Sequence, residues 1–353
     1  MQSLMGRNGR RRGMLPNGLG LLAVLGLLTT QAALVHAQTG STQTGNAQTS
    51  AWPLKPLRIV APFPPGGPAD VQGRAIGQKL SQQLGQPVII DNRAGAGGVI
   101  GTETVVKASP DGYTLLFTTA GALAVAPAIA ENMPYDPARD LLPVARALIM
   151  PEVLALHPSA GGGGLRSLQA LIAYARANPR KLNYSTPGNA TVPHLAAELF
   201  AQVAGIELVH VPYRGGGQVF TALTAGEIQF CSDIPSLLKG FQDAGTARVL
   251  FVATDQRSSL LPNVPTAAEA GIAGYKSHSW YGFFAPRGTP EAIVNRMAAA
   301  TEQALSDSGI NQRFEDMGTP AMRGYTPARF AAYVRDEIAF WEPEVRGLGI
   351  KAE

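Results

Sequence analysis

The sequence has few residues of the kinds that build covalent or metal-dependent sites. Cys231 is the only cysteine in 353 residues, so no disulfide can form within the chain. No nucleophile elbow, Walker loop or HExxH motif occurs. Of the five histidines, none of the four beyond residue 37 lies at a metal-ligand spacing from another histidine or an acidic cluster. These absences argue against disulfide-rich scaffolds, zinc enzymes and common hydrolases, and no cofactor is expected.

An excess of one charge is also missing once the N-terminus is set aside. The formal charge is +4, but residues 1–37 contain four arginines and no acid. Subtracting these four from the 29 Lys+Arg leaves 25, which equals the 25 Asp+Glu. A neutral chain has no global field to attract a polyanion. We therefore expect no nucleic-acid partner.

The first fifty residues have the pattern of an export signal followed by a tether. Arginines precede an apolar run at 19–28, and Val35-His36-Ala37 offers small residues at the positions that a signal peptidase reads. The run is too short to span a membrane. We predict a signal peptide over 1–37, cleaved near Ala37, and a flexible tether over 38–52. Export by the Sec or the Tat route stays open, since Arg11-Arg12 fits either.

The rest of the chain alternates strands with helices. Strands are predicted at 57–61, 87–90 and 114–117, with a helix from Pro68 that stops at Gly85. After an apolar crossing at 147–157, a second series has helices at 168–177, 194–204 and 218–225 and strands at 182–184, 207–211 and 228–230. A strand at 279–285 crosses back. This order predicts two α/β lobes with parallel-rich sheets and a ligand cleft at the carboxyl ends of the strands.

The two crossings divide the chain into a discontinuous first lobe and a continuous second lobe. The first lobe is predicted to comprise 53–154 and 276–353, and the second lobe 155–275. Trp280 and Tyr281, on the return strand, are expected in the core or the hinge.

Small-residue loops that lead from strands into helices recur in both predicted lobes. They lie at Gly66-Gly67-Pro68 in the first lobe, and at 186–191 and 214–217 in the second. Exposed N–H groups and the helix dipole make such loops anion sites without a charged side chain, although each alone could be an ordinary turn. Gly95-Ala96-Gly97 resembles a dinucleotide loop but has Ile100 at the third glycine position, which argues against a nucleotide cofactor.

Two side chains near these loops have more than one interpretation. Asp70 either caps the helix or contacts a ligand. Tyr213 either contacts a ligand or fills the core with its hydroxyl satisfied. Arg74, Arg93 and Arg214 also lie near the loops, and any of them pointing inward would favour a second ligand carboxylate.

Several motifs in this order resemble the substrate-binding proteins of tripartite tricarboxylate transporters, the Bug-type family. The resemblance extends over nearly all of 53–345. The motifs are PFPPGGPAD at 62–70, DNRAGAGG at 91–98, PDGYTL at 110–115, HLAAELF at 194–200, VPYRGG at 211–216, NVPT at 263–266, EAG at 269–271 and WYG at 280–282, followed by 285–290.

The resemblance implies a two-lobed periplasmic binding protein fold, type II-like, that closes on a small carboxylate. The ligand-binding residues that it implies are Phe63, Gly66, Gly67, Asp70, Thr186, Gly188, Asn189, Thr191, His194, Tyr213, Gly215 and Asp233. Ala69 and Ala190 replace residues common in the family, and Pro187 stiffens the second loop. These departures bear on the choice of ligand.

The expected function is that of an extracytoplasmic receptor that delivers a small organic acid to a membrane permease. It would be periplasmic, monomeric and not an enzyme. Two alternatives stay open at this point: a receptor that presents its ligand to a membrane sensor, and an exported enzyme using the same cleft. The sequence does not identify the acid.

Overall fold

The computed structural model describes residues 51–130, 132–186, 188, 191–213 and 216–347. The predicted signal peptide and nearly all of the tether lie outside these residues. Within them, no helix is long and apolar enough to cross a membrane. The strands, in chain order, are β1 (Leu57–Ala61), β2 (Val88–Asn92), β3 (Thr114–Thr119), β4 (Leu141–Pro151), β5 (Val153–Leu156), β6 (Asn183–Thr186), β7 (Val209–Pro212), β8 (Phe230–Asp233), β9 (Arg248–Val252) and β10 (His278–Pro286).

Helices separate most of these strands, as the alternating pattern predicts. They are α1 (Pro68–Leu84), α2 (Val99–Val106), α3 (Ala126–Ile129), α4 (Pro137–Asp140), α5 (Leu168–Ala177), α6 (Val192–Ala204), α7 (Gly216–Ala225), α8 (Pro235–Asp243), α9 (Glu291–Leu305), α10 (Ser308–Asp316) and α11 (Pro327–Gly347). The helix boundaries follow local chemistry. For example, α1 begins at a proline and ends at Gly85, which adopts a left-handed conformation.

The strands form two five-stranded sheets of the same design. The first sheet has the order β2-β1-β3-β10-β4, and the second has the order β7-β6-β8-β5-β9. In each sheet three neighbouring strands are parallel, and the fourth runs antiparallel to both of its neighbours. The mixed α/β class with two parallel-rich sheets is therefore confirmed.

In each sheet, the antiparallel fourth strand directly follows a strand of the other sheet in the chain. β5 follows β4 of the first sheet after a single residue, Glu152, and enters the second sheet. β10 follows β9 of the second sheet and enters the first. As a result, both crossings lie at the carboxyl ends of the parallel strands.

Several elements differ from those predicted. The apolar stretch 147–157, predicted as one crossing, consists of the end of β4 and all of β5. β9 and α8 were not predicted, and α6 begins at Val192 instead of 194. A continuous apolar run fits a buried strand of either direction, so periodicity could not assign the antiparallel pairing.

The loop between β1 and α1 is held by a side-chain network. Asp70 is buried, and its Oδ2 accepts a hydrogen bond of 3.0 Å from the amide of Gly66. Its Oδ1 lies 2.8 Å from Nη2 of Arg74, which also donates to Asn92. Asn92 in turn donates to the carbonyl of Phe63. These contacts fix the path of 63–67.

The return strand β10 packs its aromatic side chains on both faces of the first sheet. Tyr281 stacks on Phe117 at 5.1 Å, and Phe117 lies 4.7 Å from Phe283. On the other face, Trp280 meets the edge of Phe330 from α11 at 5.6 Å. Gly282 leaves room for Phe330, because a Cβ there would lie 2.3 Å from Cζ of that ring.

We expect Gly282→Ala to lower the free energy of unfolding by about 1–3 kcal/mol, the usual cost of overpacking a core. Phe330 is fully buried and its ring cannot move outward freely. Gly240→Ala in α8 is the matched control, since a Cβ there meets nothing within 4 Å. The control should stabilise the protein slightly. Urea denaturation measures both, and equal stability of the two variants would contradict the packing argument.

We expect Asp70→Ala to lower the free energy of unfolding by about 2 kcal/mol, because hydrogen bonds to a charged group are lost from the loop. The Arg74 hydrogen bond, with help from Gly66, lowers the pKa of Asp70 below its ordinary 3.8. The stabilisation is therefore fully present above about pH 4 and is lost as the pH falls through the lowered pKa.

Urea denaturation of the wild type and of Asp70→Ala between pH 3 and pH 7 tests the predicted loss of stability. Asp243→Ala serves as the control, because its ion pair with Lys239 is exposed and such pairs contribute little. A loss in Asp70→Ala no larger than in Asp243→Ala would contradict the role assigned to the Asp70 network.

Candidate functional site

A cavity of about 760 Å³ lies where the two crossings meet the carboxyl ends of the parallel strands. Its walls come from loops after β1, β3, β6, β7 and β8 and from the crossings themselves. Five of the predicted ligand-binding residues line it, and these are Phe63, Gly188, Thr191, Tyr213 and Asp233.

The other predicted residues divide into two groups. Gly66, Gly67, Asp70, Thr186 and His194 are described but do not line the cavity. Asn189 and Gly215 lie outside the described residues, as does Arg214. Asp70 does not cap α1, since the N-cap residue Gly67 has no side-chain hydrogen bond. Its carboxylate instead accepts from the Gly66 amide in the preceding loop and pairs with Arg74.

Thr186 lies beneath the loop that follows β6 and helps to shape it. Its Oγ1 donates to the carbonyl of Gly188 at 3.0 Å and lies 2.7 Å from Nε2 of His210. Oγ1 of Thr191 donates to the same Gly188 carbonyl at 2.9 Å. Gly188 has φ +153°, a conformation that other residues rarely adopt. The loop is thus built around one carbonyl group held by two threonines.

Two stacked histidines support this loop from behind. The rings of His194 and His210 lie 3.9 Å apart, and His210 also stacks on Tyr184 at 4.8 Å. Burial lowers the pKa of His194 to about 3 and that of His210 to about 4. Both rings are therefore neutral near pH 7, and His194 is placed to position the loop.

Three helices begin at the cavity with their first turns uncapped by side chains. They are α1, α6 and α8, and their N-cap residues are Gly67, Thr191 and Ile234. The first residues of α1 and α6, Pro68 and Val192, line the cavity. N–H groups at helix starts are unsatisfied within the helix and carry partial positive charge. At α1 and α6 this end of the cavity can therefore bind an anion such as a carboxylate. At α8 the amide of Ile234 already donates to the Asp233 carboxylate.

The arginines that could have added positive charge are engaged elsewhere. Arg74 pairs with Asp70, and Arg93 pairs with Asp91. Among the described residues, no lysine, arginine or histidine lines the cavity. Recognition of an anion by these residues therefore depends on backbone amides and neutral side chains.

Sequence reasoning missed the residues that the crossings bring to the cavity. Met150, Glu152, Ser279 and Tyr281 all line it. Glu152 is only 2% exposed and accepts a hydrogen bond of 3.1 Å from Ser232. A signal for it was available, since Glu152 is the only acid in the apolar run 147–157.

The Gly-rich loop 95–98 also reaches the cavity. Ala96 and Gly97 line it together with Val99, the first residue of α2. From the sequence, this loop belongs to the family motif at 91–98 but was not predicted to contact a ligand. Its path is strained, since Ala96 has φ +46°.

The chain was compared with known families and solved structures. Residues 73–350 match the family model described as "Tripartite tricarboxylate transporter family receptor". Protein BugT of Bordetella pertussis is 34% identical over 334 residues, which cover 94% of this chain and 98% of BugT.

Two similar solved structures contain small acids. Rpa4515 of R. palustris with adipate has a TM-score of 0.75 and 35% identity, covering 85% of this chain and 99% of that one. MatC (Rpa3494) of Rhodopseudomonas palustris with bound malate has a TM-score of 0.73 and 32% identity, covering 83% and 100%.

The family match extends over most of the described chain, and the resemblance stated from the sequence motifs is confirmed. This chain belongs to the receptor family of the tripartite tricarboxylate transporters.

Proposed function

We propose that this protein captures a small organic carboxylate in the cavity between its two sheets and delivers it to a tripartite tricarboxylate-type permease. The observation that carries the proposal is the cavity at which α1, α6 and α8 begin without side-chain caps. α1 belongs to the predicted first lobe and α6 to the predicted second lobe. One ligand carboxylate can therefore contact both lobes at once. Family membership supports the delivery step.

The proposed ligand contacts are the predicted residues that line the cavity: Phe63, Gly188, Thr191, Tyr213 and Asp233. Thr186, His194 and Asp70 have a positioning role, since their contacts hold the loops from behind. The backbone amides at the starts of α1 and α6 are proposed to complete the anion site.

Ligand binding is proposed to close the cleft between the predicted lobes, 53–154 with 276–353 and 155–275. A ligand that contacts both lobes favours the conformation in which both sets of contacts exist, so binding shifts an open-to-closed equilibrium. The closed receptor is the form presented to the permease. No chemical step is assigned to the cavity, and the ligand leaves unchanged.

The proposed location is the periplasm. The arginine-rich segment, apolar run and Val35-His36-Ala37 of the N-terminus support export. Family membership supports the same location, because a receptor has to meet its solute before the membrane permease does.

The size of the ligand follows from the cavity and the neighbours. A volume of about 760 Å³ accommodates a short-chain acid together with ordered water. The neighbours with adipate and malate contain acids of this size.

We expect one class of small carboxylates to raise the melting temperature of the purified protein in a thermal-shift screen. A ligand at 100 times its dissociation constant should stabilise the folded state by about 2.7 kcal/mol. Calorimetry then gives the affinity, and chromatography checks that the acid is not consumed. No response to mono-, di- or tricarboxylates or amino acids, in folded protein free of bound acid, would contradict the proposal.

Gly188→Ala tests the site itself. Alanine disfavours φ +153°, so the carbonyl held by Thr186 and Thr191 should shift and affinity should fall about tenfold, within the usual cost of backbone strain. Gly162→Ala is the matched control, since Gly162 has φ +75° with nothing within 4 Å of its Cβ and lies outside the cavity lining. If the two variants bind the ligand with equal affinity, the loop at Gly188 does not contribute to the binding site.

A further inference from the structure

Two carboxyl groups line the cavity near the connection between β4 and β5. Glu152 is the single residue between β4 and β5, and Asp233 is the last residue of β8. The register pairs Asp233 with Val153, the residue next to Glu152. Both side chains line the cavity, and they are 2% and 7% exposed. We call these two residues the acidic pair.

Each member of the acidic pair has one oxygen that the protein satisfies and one that it leaves open. Oε2 of Glu152 accepts from the hydroxyl of Ser232, and Oδ1 of Asp233 accepts from the amide of Ile234 at 2.8 Å. Among the described residues, nothing donates to Oε1 of Glu152 or Oδ2 of Asp233. Neither of these two oxygens is among the fully buried, unpartnered atoms of the described residues. A donor group that enters the cavity can therefore bind to them.

No cationic side chain lines the cavity within the described part of the chain. Burial raises the pKa of Asp233 to about 6. Burial and the charge of Asp233 both raise the pKa of Glu152. At pH 7.5 the pair thus retains negative charge, in a desolvated place where a nearby opposite charge has a strong effect.

Other titratable groups around the acidic pair stay neutral at this pH. Cys231 on β8, Tyr275 before β10 and Tyr281 on β10 are buried, and burial raises the pKa of each. Ser232, Ser277 and Ser279 carry no charge. Among the described residues that line the cavity, Glu152 and Asp233 are therefore the only ones that carry a charge.

We infer that the ligand of this receptor carries a protonated amine that faces Glu152 and Asp233, in addition to the carboxylate bound at the loops. The inference rests on the proposed function and narrows its substrate class to amino-carboxylates. A second carboxylate at the same place would meet negative charge with no cation to offset it. The inferred ligand thus differs in charge from the dicarboxylates of the two neighbours.

The first test needs no ligand. In the folded protein the raised pKa values favour protonated carboxyls, so stability is lost as the pH rises through about 6. Asp233→Asn removes that charge and should therefore melt higher than the wild type at pH 8, with a smaller difference at pH 5. Asp243→Asn, on an exposed side chain, should show no such change. If the difference in melting temperature between Asp233→Asn and the wild type stays constant with pH, the statement that the acidic pair carries negative charge is wrong.

The second test compares matched ligands at pH 7.5 by calorimetry. The set contains amino, hydroxy and dicarboxylic acids of four, five and six carbons, with the amine at either the α or the ω carbon. We expect an amino acid of at least one length to bind ten times or more tightly than the dicarboxylate of that length. Asp233→Asn and Glu152→Gln should each weaken that amino acid about tenfold and tighten the dicarboxylate, whose second carboxylate then meets less negative charge, whereas Asp243→Asn should alter neither.

The remaining outcomes are distinct. Tighter binding of dicarboxylates at every length, with affinity rising as the pH falls below 6, would mean that the pair donates a proton, and this would overturn the inference. Equal binding of amino and hydroxy acids would overturn the need for a positive charge. If no carboxylate of any kind binds, the proposed function fails as well.

Discussion

The exchange of one strand between the two sheets is the constraint on which the rest of this structure depends. β5 leaves the first sheet to complete the second, and β10 returns to complete the first. Because both enter antiparallel to the strands beside them, both crossings lie at the carboxyl ends of the parallel strands. Loops and helix starts are gathered at that same edge, so the topology alone brings them around one cavity.

In the cavity, backbone groups and side chains have different roles. α1, α6 and α8 begin at the cavity, while Asp70 and Thr186 form hydrogen bonds within the adjoining loops and the stacked histidines contact Thr186 through His210. This arrangement needs no cation in the wall of the cavity. It also leaves the acidic pair as the only charged groups there among the described residues.

Much of the fold could be predicted from local patterns, and the site only in part. The unit of β1, its loop and α1 is explicit in the sequence, because an apolar run, a glycine-proline turn and helical spacing follow one another. The direction of β5 was not accessible, because a fully apolar strand has no pattern that distinguishes parallel from antiparallel pairing. Thr186 and His194 lie on either side of the predicted loop, at the end of β6 and in the first turn of α6. Which way each side chain points depends on strand alternation and on His210, a partner distant in sequence. Glu152 and Asp233 are likewise far apart in the chain, so only the register of β5 with β8 brings them together.

The shortness of the crossing at Glu152 has a consequence for how binding energy is used. A connection of one residue keeps its surroundings close to the axis of any relative rotation of the two sheets, whereas the loops at the far side of the cavity sweep through the largest arc. In the proposed closure, contacts near Glu152 change little, whereas contacts with the loops form as the cleft shuts. Only contacts that differ between the two conformations can drive the shutting. Under this proposal, the groups near Glu152 govern whether a solute is retained, and the loops govern whether the cleft closes on it.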